Sequence, residues 1–443
     1  MSDAFARAAL GAYRLFGAAA YPLIGPYVGW RASRGKEERA RRRERYGYPG
    51  ADRPGAGPLV WVHAASVGES TAVMPMVREI AAENIHIVMT TGTVTSAALV
   101  QDRLGSAVIH QYVPLDLKPS IMRFLDHWRP DLAIVAESEI WPMTVLELGR
   151  RRIPQVLVNA RLSDRSFQRW KAAPSLAEAL LENLSHVVAQ SDIDGERYHL
   201  LGARAVTVAG NLKADTNPPP FEPIALQALK ADLKGRPVWA AVSTHAGEEE
   251  IAAEVHRTLK VRHPGLVTII VPRHVERADA LEKSFIAKGL TVARRSAYEP
   301  VPPETDIFLG DTMGEMGLYL RLTEIAFVGR SLQGQGGQNP LEAAMLGTAI
   351  LSGRYVQNFR DAYQRLLKNG GARLVKDEDG LSDMVGQLLG DPALRRRMIE
   401  SAANTVGEMR GALQRTMQAL EPFLHPMKLA IRLERSDRGA QGR

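Results

Sequence analysis

The chain contains no cysteine. That removes a disulfide framework, a thiolate zinc site and a cysteine nucleophile from consideration. Aromatic residues make up only 6% of the sequence, and no stacking or groove-reading motif accompanies the basic residues, so nucleic acid is not the expected partner. There is no G-x-x-x-x-G-K-[ST] phosphate loop, no H-E-x-x-H zinc helix and no G-x-S-x-G elbow. No G-x-G-x-x-G follows a strand, which sets aside a dinucleotide oxidoreductase. Two D-x-D triplets, Asp192-Ile193-Asp194 and Asp377-Glu378-Asp379, read as solvated turns, because a hard cation needs several converging oxygen ligands. No metal and no cofactor is expected.

Long apolar runs are also scarce. Leu15 to Trp30 (LFGAAAYPLIGPYVGW) is almost wholly apolar but short of the ~20 residues that span a bilayer, and Pro22 and Pro26 weaken a continuous helix. No small-residue cleavage site follows, so it does not read as a removed signal peptide. The formal charge is +7 and unevenly placed. Arginines crowd Arg31 to Arg45 (RASRGKEERARRRER), directly after the apolar segment, and the C-terminal stretch KLAIRLERSDRGAQGR is basic as well. The pattern fits an interfacial anchor best, with Tyr21, Tyr27 and Trp30 at headgroup depth and arginines on anionic lipid; a single span with the arginines on the cytoplasmic side and a soluble packing helix stay open as alternatives.

At 443 residues, two domains are expected. From Pro58, short apolar strands alternate with helical segments, the pattern of a parallel sheet covered on both faces. The strand candidates are PLVWVHA, IHIVMTT, DLAIVAE, QVLVNA, HVVAQS and VTVAG. GNLKADTNPPPFEP, Gly210 to Pro223, reads as a linker. The alternation then restarts with PVWAAVS, VTIIVP, LTVARR, TDIFLGD, EIAFVG, AILSG and ARLVKD. Two doubly wound α/β domains facing a cleft are expected, with ligand groups on loops at the strands' carboxyl ends.

Polar clusters fall on those loops. In the first half they are HAASVGES, AESEIWP with Glu137 and Glu139, and NARLSDRS with Asn159, Arg161, Ser163 and Arg165. Ser66 to Glu69 also fits a capping box, so Glu69 can hold a helix or do chemistry. In the second half, STHAGEEE carries Glu248, Glu249 and Glu250 into a helix, for which helix-dipole complementation suffices. Arg273 can meet a phosphate or form a surface ion pair. GDTMGEM offers backbone amides to an anion. In GQGGQNPLEAA, Gly334 to Ala344, Asn339 suits an N-cap, Pro340 the first helical position and Glu342 the third; a structural capping role is an equal alternative.

Taken in order, HAASVGE, TTGTVTS, ESEIWP, VNARLSDRSF, GNLK, STHAGEEE, VPRH, GDTMGEMGLY, FVGRSL and GGQNPLEA resemble the bacterial 3-deoxy-D-manno-octulosonic acid (Kdo) transferases of lipopolysaccharide synthesis, from the N-terminal segment to about Phe359. The resemblance implies an inverting glycosyltransferase of GT-B architecture, two Rossmann-like domains with an N-terminal membrane-associated helix. It would act at the cytoplasmic face of the inner membrane, moving Kdo from CMP-Kdo to the lipid A precursor lipid IVA. Residues 1–45 would be the membrane segment, 46–214 the acceptor domain, 215–223 the linker, 224–410 the donor domain and 411–443 a C-terminal helix and basic tail. By position in the motifs, Glu69 would be the general base, with Glu139 and Lys213 supporting the transition state. Pro272, Arg273, Met313, Gly314, Glu315, Asn339, Pro340, Leu341 and Glu342 would hold the CMP moiety, with Ser243 and His245 close by. Gln338 stands where the family commonly has histidine, Met143 where it has asparagine, and Ala214 at an often aromatic position. Two other readings stay open: another GT-B enzyme using a different nucleotide sugar, and a non-catalytic membrane-bound nucleotide sensor.

Overall fold

The computed structural model describes residues 2–441 except Ala56, Tyr298, Glu299, Gly334 and Gln335, and describes no side chains for residues 2–5, Ala20 and 434–441. The first two residues of the glycine-rich stretch and the end of the basic tail thus lie outside the described residues. The chain forms two compact units, Met1–Thr216 with Arg410–Arg443, and Asn217–Met409.

The first unit holds β1 (Leu59–His63), β2 (His86–Thr91), β3 (Ile109–Tyr112), β4 (Leu132–Ala136), β5 (Gln155–Ala160), β6 (His186–Ala189) and β7 (Val206–Val208). All are parallel in the order β3-β2-β1-β4-β5-β6-β7. Both faces of β1, β2, β4, β5 and β6 are covered, which is why these strands read as near-continuous apolar runs. Val60, Val62, Ile134 and Val158 meet helix Val67–Ala82 and the C-terminal helix through Leu420 and Leu424. Leu59, Trp61 and Ala133 face Phe124 and Trp128. Asp215 fixes the start of the C-terminal helix, Ala412–Gln441, by accepting from Gly411 N and Leu413 N at 2.8 and 2.6 Å.

Strand β3 was not among the sequence candidates. Its polar His110 and Gln111 break the apolar pattern, and the fold satisfies them with partners distant in sequence: Trp128 Nε1 donates to Gln111 Oε1 at 2.8 Å, and Arg41 Nη2 donates to the His110 carbonyl at 3.0 Å. Glu44 covers this edge by accepting from Tyr112 N at 2.7 Å.

The N-terminal apolar segment is broken at Pro22: helix Ser2–Ala20 gives way to a 3-10 turn, Tyr21–Leu23, and then helix Ile24–Ser33. Among the described residues no helix is long and apolar enough to cross a membrane. Leu15, Phe16, Leu23, Tyr27 and Trp30 are exposed. The arginine run differs from expectation, because part of it turns inward instead of outward. Arg45 is buried and donates to Glu37 at 3.0 and 3.1 Å and to the Gly92 carbonyl at 2.7 Å. Arg31 meets the same Glu37 at 2.9 Å, and Arg41 meets Glu44 at 2.7 Å. The buried carboxylates Glu37 and Glu44 draw these guanidiniums in, since an unpaired buried charge is costly. Arg34, Arg39, Arg42 and Arg43 remain exposed.

The second unit repeats the plan with β8 (Val238–Thr244), β9 (Val267–Pro272), β10 (Val292–Arg294), β11 (Ile307–Leu309), β12 (Ile325–Val328), β13 (Ala349–Ser352) and β14 (Ala372–Leu374), in the order β10-β11-β9-β8-β12-β13-β14. Each corresponds to a sequence candidate. The two Asp triplets are largely solvated, with Asp192, Asp377 and Asp379 exposed, but they are not turns. Each opens a helix: Asp194 accepts from Leu162 N at 2.8 Å below the Ser191 cap, and Asp377 accepts from Gly380 N at 3.0 Å.

The buried Glu37–Arg45 pair should carry the docking of the arginine segment. Arg45→Met leaves Glu37 with Arg31 alone, and urea unfolding is expected to show a loss of about 3 kcal/mol, whereas Arg42→Met changes stability by less than ~0.5 kcal/mol.

Candidate active site

In each sheet the strand order reverses beside the strand that comes first in sequence, placing a crevice at the carboxyl ends of β1 and β4 in the first unit and of β8 and β12 in the second. Around the first crevice the structure gathers three carboxylates and one ammonium.

Glu69 lies in the first turn of helix Val67–Ala82, below the N-cap Ser66. Its Oε2 accepts from Ala65 N at 2.8 Å and its Oε1 from Ser66 Oγ at 2.8 Å, while Ser66 Oγ accepts from Glu69 N at 3.3 Å. Glu69 therefore does hold the helix start. Each oxygen keeps a second lone pair for a further donor. A helix N-terminus alone favours the ionised form, yet burial, and next the charge of Glu137, hold the Glu69 carboxyl above the usual carboxylate range against the Ser66 and Ala65 bonds. A base with a raised pKa is a stronger proton acceptor.

Glu137 follows β4 with φ at 55°, and Asn159, near the end of β5, has φ at 50°. Both sit in the left-handed region, a placement costing ~1–3 kcal/mol that clusters at functional sites. Lys213 Nζ lies 2.6 Å from Glu137 Oε1. Glu137, the first carboxylate of ESEIWP, is thus a direct ion partner of Lys213, a pairing the motif pattern does not single out. Asn159, in the NARLSDRS cluster, also belongs to the site: its Oδ1 accepts from Leu212 N at 3.0 Å and sets the GNLK turn. Asn211 Oδ1 accepts from Lys213 N at 3.0 Å.

Glu139 instead accepts from Trp141 Nε1 at 2.6 Å and stands 4.0 Å from His63 Nε2. Burial, opposed by the Trp141 bond and aided by Glu137, raises its pKa. His63 is buried, which pushes its pKa down to about 4. The Thr90 carbonyl, 3.1 Å from Nδ1, can only accept, so the neutral ring carries its proton there.

In the second unit the remaining predicted residues fall at the carboxyl ends of β11, β9, β8 and β12, four neighbouring strands. Pro272 is buried at the end of β9 and Arg273 is exposed, its amide donating to the Thr244 carbonyl at 2.9 Å. His245 and His274 stack edge to face at 5.6 Å. Met313 is exposed, and Gly314 has φ at 83°. Glu315 is gripped by Arg295 at 2.9 and 3.0 Å and by Thr312. Burial would raise its pKa, but those bonds overcome it and leave it below the ordinary value. The helix bearing Glu342 starts at Leu341, one residue later than the capping pattern placed it, with Pro340 at the N-cap; Asn339 Oδ1 still accepts from Leu341 N, at 3.1 Å. Among the described residues no group of three or more His, Asp or Glu side chains could hold a metal ion.

A family model described as 3-deoxy-D-manno-octulosonic-acid transferase (kdotransferase) matches residues 40–216. The chain is 36% identical over 409 residues to the 3-deoxy-D-manno-octulosonic acid transferase of Haemophilus influenzae, covering 91% of this chain and 96% of that one. It is 35% identical over 429 residues to the transferase of the same name from Bordetella pertussis, covering 94% and 99%. Among solved structures, a glycosyltransferase from Rickettsia africae aligns with a TM-score of 0.57 at 12% identity, over 84% of this chain and 99% of that one, a likeness of fold alone.

The raised carboxyls have a consequence for stability. A carboxyl whose folded pKa exceeds its unfolded value stabilises the fold below the unfolded value and loses that contribution as pH rises through the folded one. The contribution of Glu69 and Glu139 to the unfolding free energy should therefore fall as pH rises above about 4.3 through their raised values, while buried His63, depressed to about 4, adds stability over the same rise toward 6.5. Urea titrations across this range should show the stability of Glu139→Gln rising relative to the wild type as pH increases, because the variant lacks the declining contribution of Glu139.

Proposed function

We propose, from the premise that the chain belongs to the 3-deoxy-D-manno-octulosonic acid transferase family and is a glycosyltransferase, that it moves Kdo from CMP-Kdo to the lipid A precursor lipid IVA with inversion. The observation that carries this reading is the constellation at β1, β4 and β7: two carboxyls with raised pKa, Glu69 and Glu139, beside the Glu137–Lys213 ion pair.

An inverting transfer sets three demands. The acceptor hydroxyl must lose a proton, the anomeric carbon becomes oxocarbenium-like, and the leaving phosphate gains charge. Glu69 takes the proton through the free lone pair of an oxygen already oriented by Ala65 N or Ser66 Oγ. The acidic surroundings formed by Glu137 and Glu139 favour positive charge on the sugar. Lys213, held by Glu137, supplies a cation beside them, so that the site is not uniformly negative. In the second unit, the amides and side chains at Pro272, Arg273, Met313 to Glu315 and Asn339 to Glu342 hold the CMP moiety. Arg295 keeps Glu315 aimed by a two-point grip.

The protein works at the cytoplasmic face of the inner membrane. This is supported by the exposed Leu15, Phe16, Leu23, Tyr27 and Trp30 beside the exposed Arg34, Arg39, Arg42 and Arg43, which give apolar insertion and lipid charge attraction together.

Two experiments test this. With CMP-Kdo and lipid IVA, Glu69→Gln is expected to lower kcat by ~10²–10⁴-fold while stability falls by only ~0.5–2 kcal/mol, the value of a cap; full activity in the folded variant would leave Glu69 a capping residue only. CMP binding without turnover by the wild type would favour a sensor, and protection by a different nucleotide would favour another donor. In the second experiment, flotation with anionic vesicles should recover the wild type and lose Leu15→Asp/Phe16→Asp; equal recovery of both would remove the anchor.

A further inference from the structure

Glu248 opens the helix that follows β8 and is 1% exposed. Its carboxylate meets four backbone amides. Oε2 accepts from His245 N at 3.0 Å and Arg330 N at 2.6 Å, and Oε1 from Ser331 N at 2.7 Å and Leu332 N at 2.9 Å. Three of these donors belong to the turn after β12, more than eighty residues away in sequence. A carboxylate has about four lone-pair directions, so this one is fully used by backbone and neither carries a proton in catalysis nor contacts a ligand.

The turn it holds is one the chain would not adopt unaided. Arg330 has φ at 58° and Ser243, on the facing strand end, has φ at 53°, both in the region that disfavours side-chain-bearing residues. Gly329 has no room for a side chain: a Cβ there would lie 2.7 Å from the Ser243 carbonyl oxygen and 2.8 Å from Glu248 Oε2. The turn in turn carries the next segment. The Arg330 carbonyl accepts from Gly337 N at 3.0 Å and the Gly329 carbonyl from Gln338 N at 3.2 Å, immediately before Asn339. Ser331 ties the same turn to the loop after β13, its Oγ accepting from Gly353 N at 2.8 Å.

We infer that Glu248 is a positioning residue for the donor. Its buried carboxylate fixes the Gly329–Leu332 turn, and the hydrogen bonds from that turn to Gly337 and Gln338 set the place of Asn339 to Glu342. This rests on the proposal that the latter segment holds CMP. Helix-dipole complementation, which accounts for the acidic run in general, does not require the long-range bonds to Arg330, Ser331 and Leu332.

Glu248→Gln turns an NH2 group toward backbone donors and is the informative change. With CMP-Kdo as the varied substrate, its KM, and the Kd for CMP by calorimetry, should rise by about tenfold or more, the effect of losing a charge-assisted hydrogen bond. KM for the acceptor and kcat at saturating donor should stay within about twofold, the signature of lost donor binding. Adding Arg330→Gly, which adopts positive φ freely, should restore part of the donor affinity. A folded Glu248→Gln protein with lower Tm but unchanged donor KM and CMP affinity would overturn the inference and leave Glu248 a capping residue. Should the variant not fold, hydrogen exchange of the wild type decides. Protection of the Arg330–Leu332 amides before CMP is added supports a preformed turn, and exchange at solvent rates without CMP overturns it. Absence of any CMP binding by the wild type would sink the donor reading instead, and the exchange measurement still tests the turn.

Discussion

Three carboxylates and one lysine at the end of a buried parallel sheet form the constraint on which the first unit is organised. Like charges brought out of water repel more strongly than at the surface, and each is disfavoured by its own desolvation. The chain answers with fixed partners: an amide and a hydroxyl for Glu69, an indole N–H for Glu139 and an ammonium for Glu137. The partners leave Glu69 and Glu139 with raised pKa values. The left-handed backbone at Glu137 and Asn159 belongs to the same arrangement, since those residues aim one carboxylate and fix the turn that presents Lys213.

The second unit places a carboxylate at the corresponding point and gives it the opposite task. Glu69 and Glu248 each stand in the first turn of the helix after the strand that comes first in sequence in their sheet, β1 and β8. Glu69 has two oriented bonds and lone pairs to spare. Glu248 is enclosed by four amides of the backbone around it. Burial and the number of donors, not residue type or topological place, separate a carboxylate available for chemistry from one that builds the floor of a binding loop.

Much of this was legible in the sequence, because parallel strands covered on both faces announce themselves as apolar runs and the turn residues between them mark the carboxyl ends. Among the described residues, thirteen of the fourteen strands coincide with a candidate read from the sequence. Strand β3 does not, since His110 and Gln111 are made acceptable by Trp128 and Arg41, which only the folded chain brings near. The same limit applies to side-chain pairing. ESEIWP shows two candidate carboxylates two residues apart, and nothing local says that the first, on a left-handed backbone, meets Lys213. The run from Arg31 to Arg45 reads as a solvated cationic patch, because the burial of Glu37 and Glu44 that turns part of it inward is a tertiary fact.

The central claim is that Glu69 accepts the proton and that Glu137 raises its basicity. The acid limb of kcat/KM for the acceptor reports the ionisation of the free enzyme's base. Measured in wild type and in Glu137→Gln, its midpoint should lie above the usual carboxylate value in the first and move down in the second. A wild-type midpoint at or below that value, or one that does not move when Glu137 loses its charge, would contradict the account.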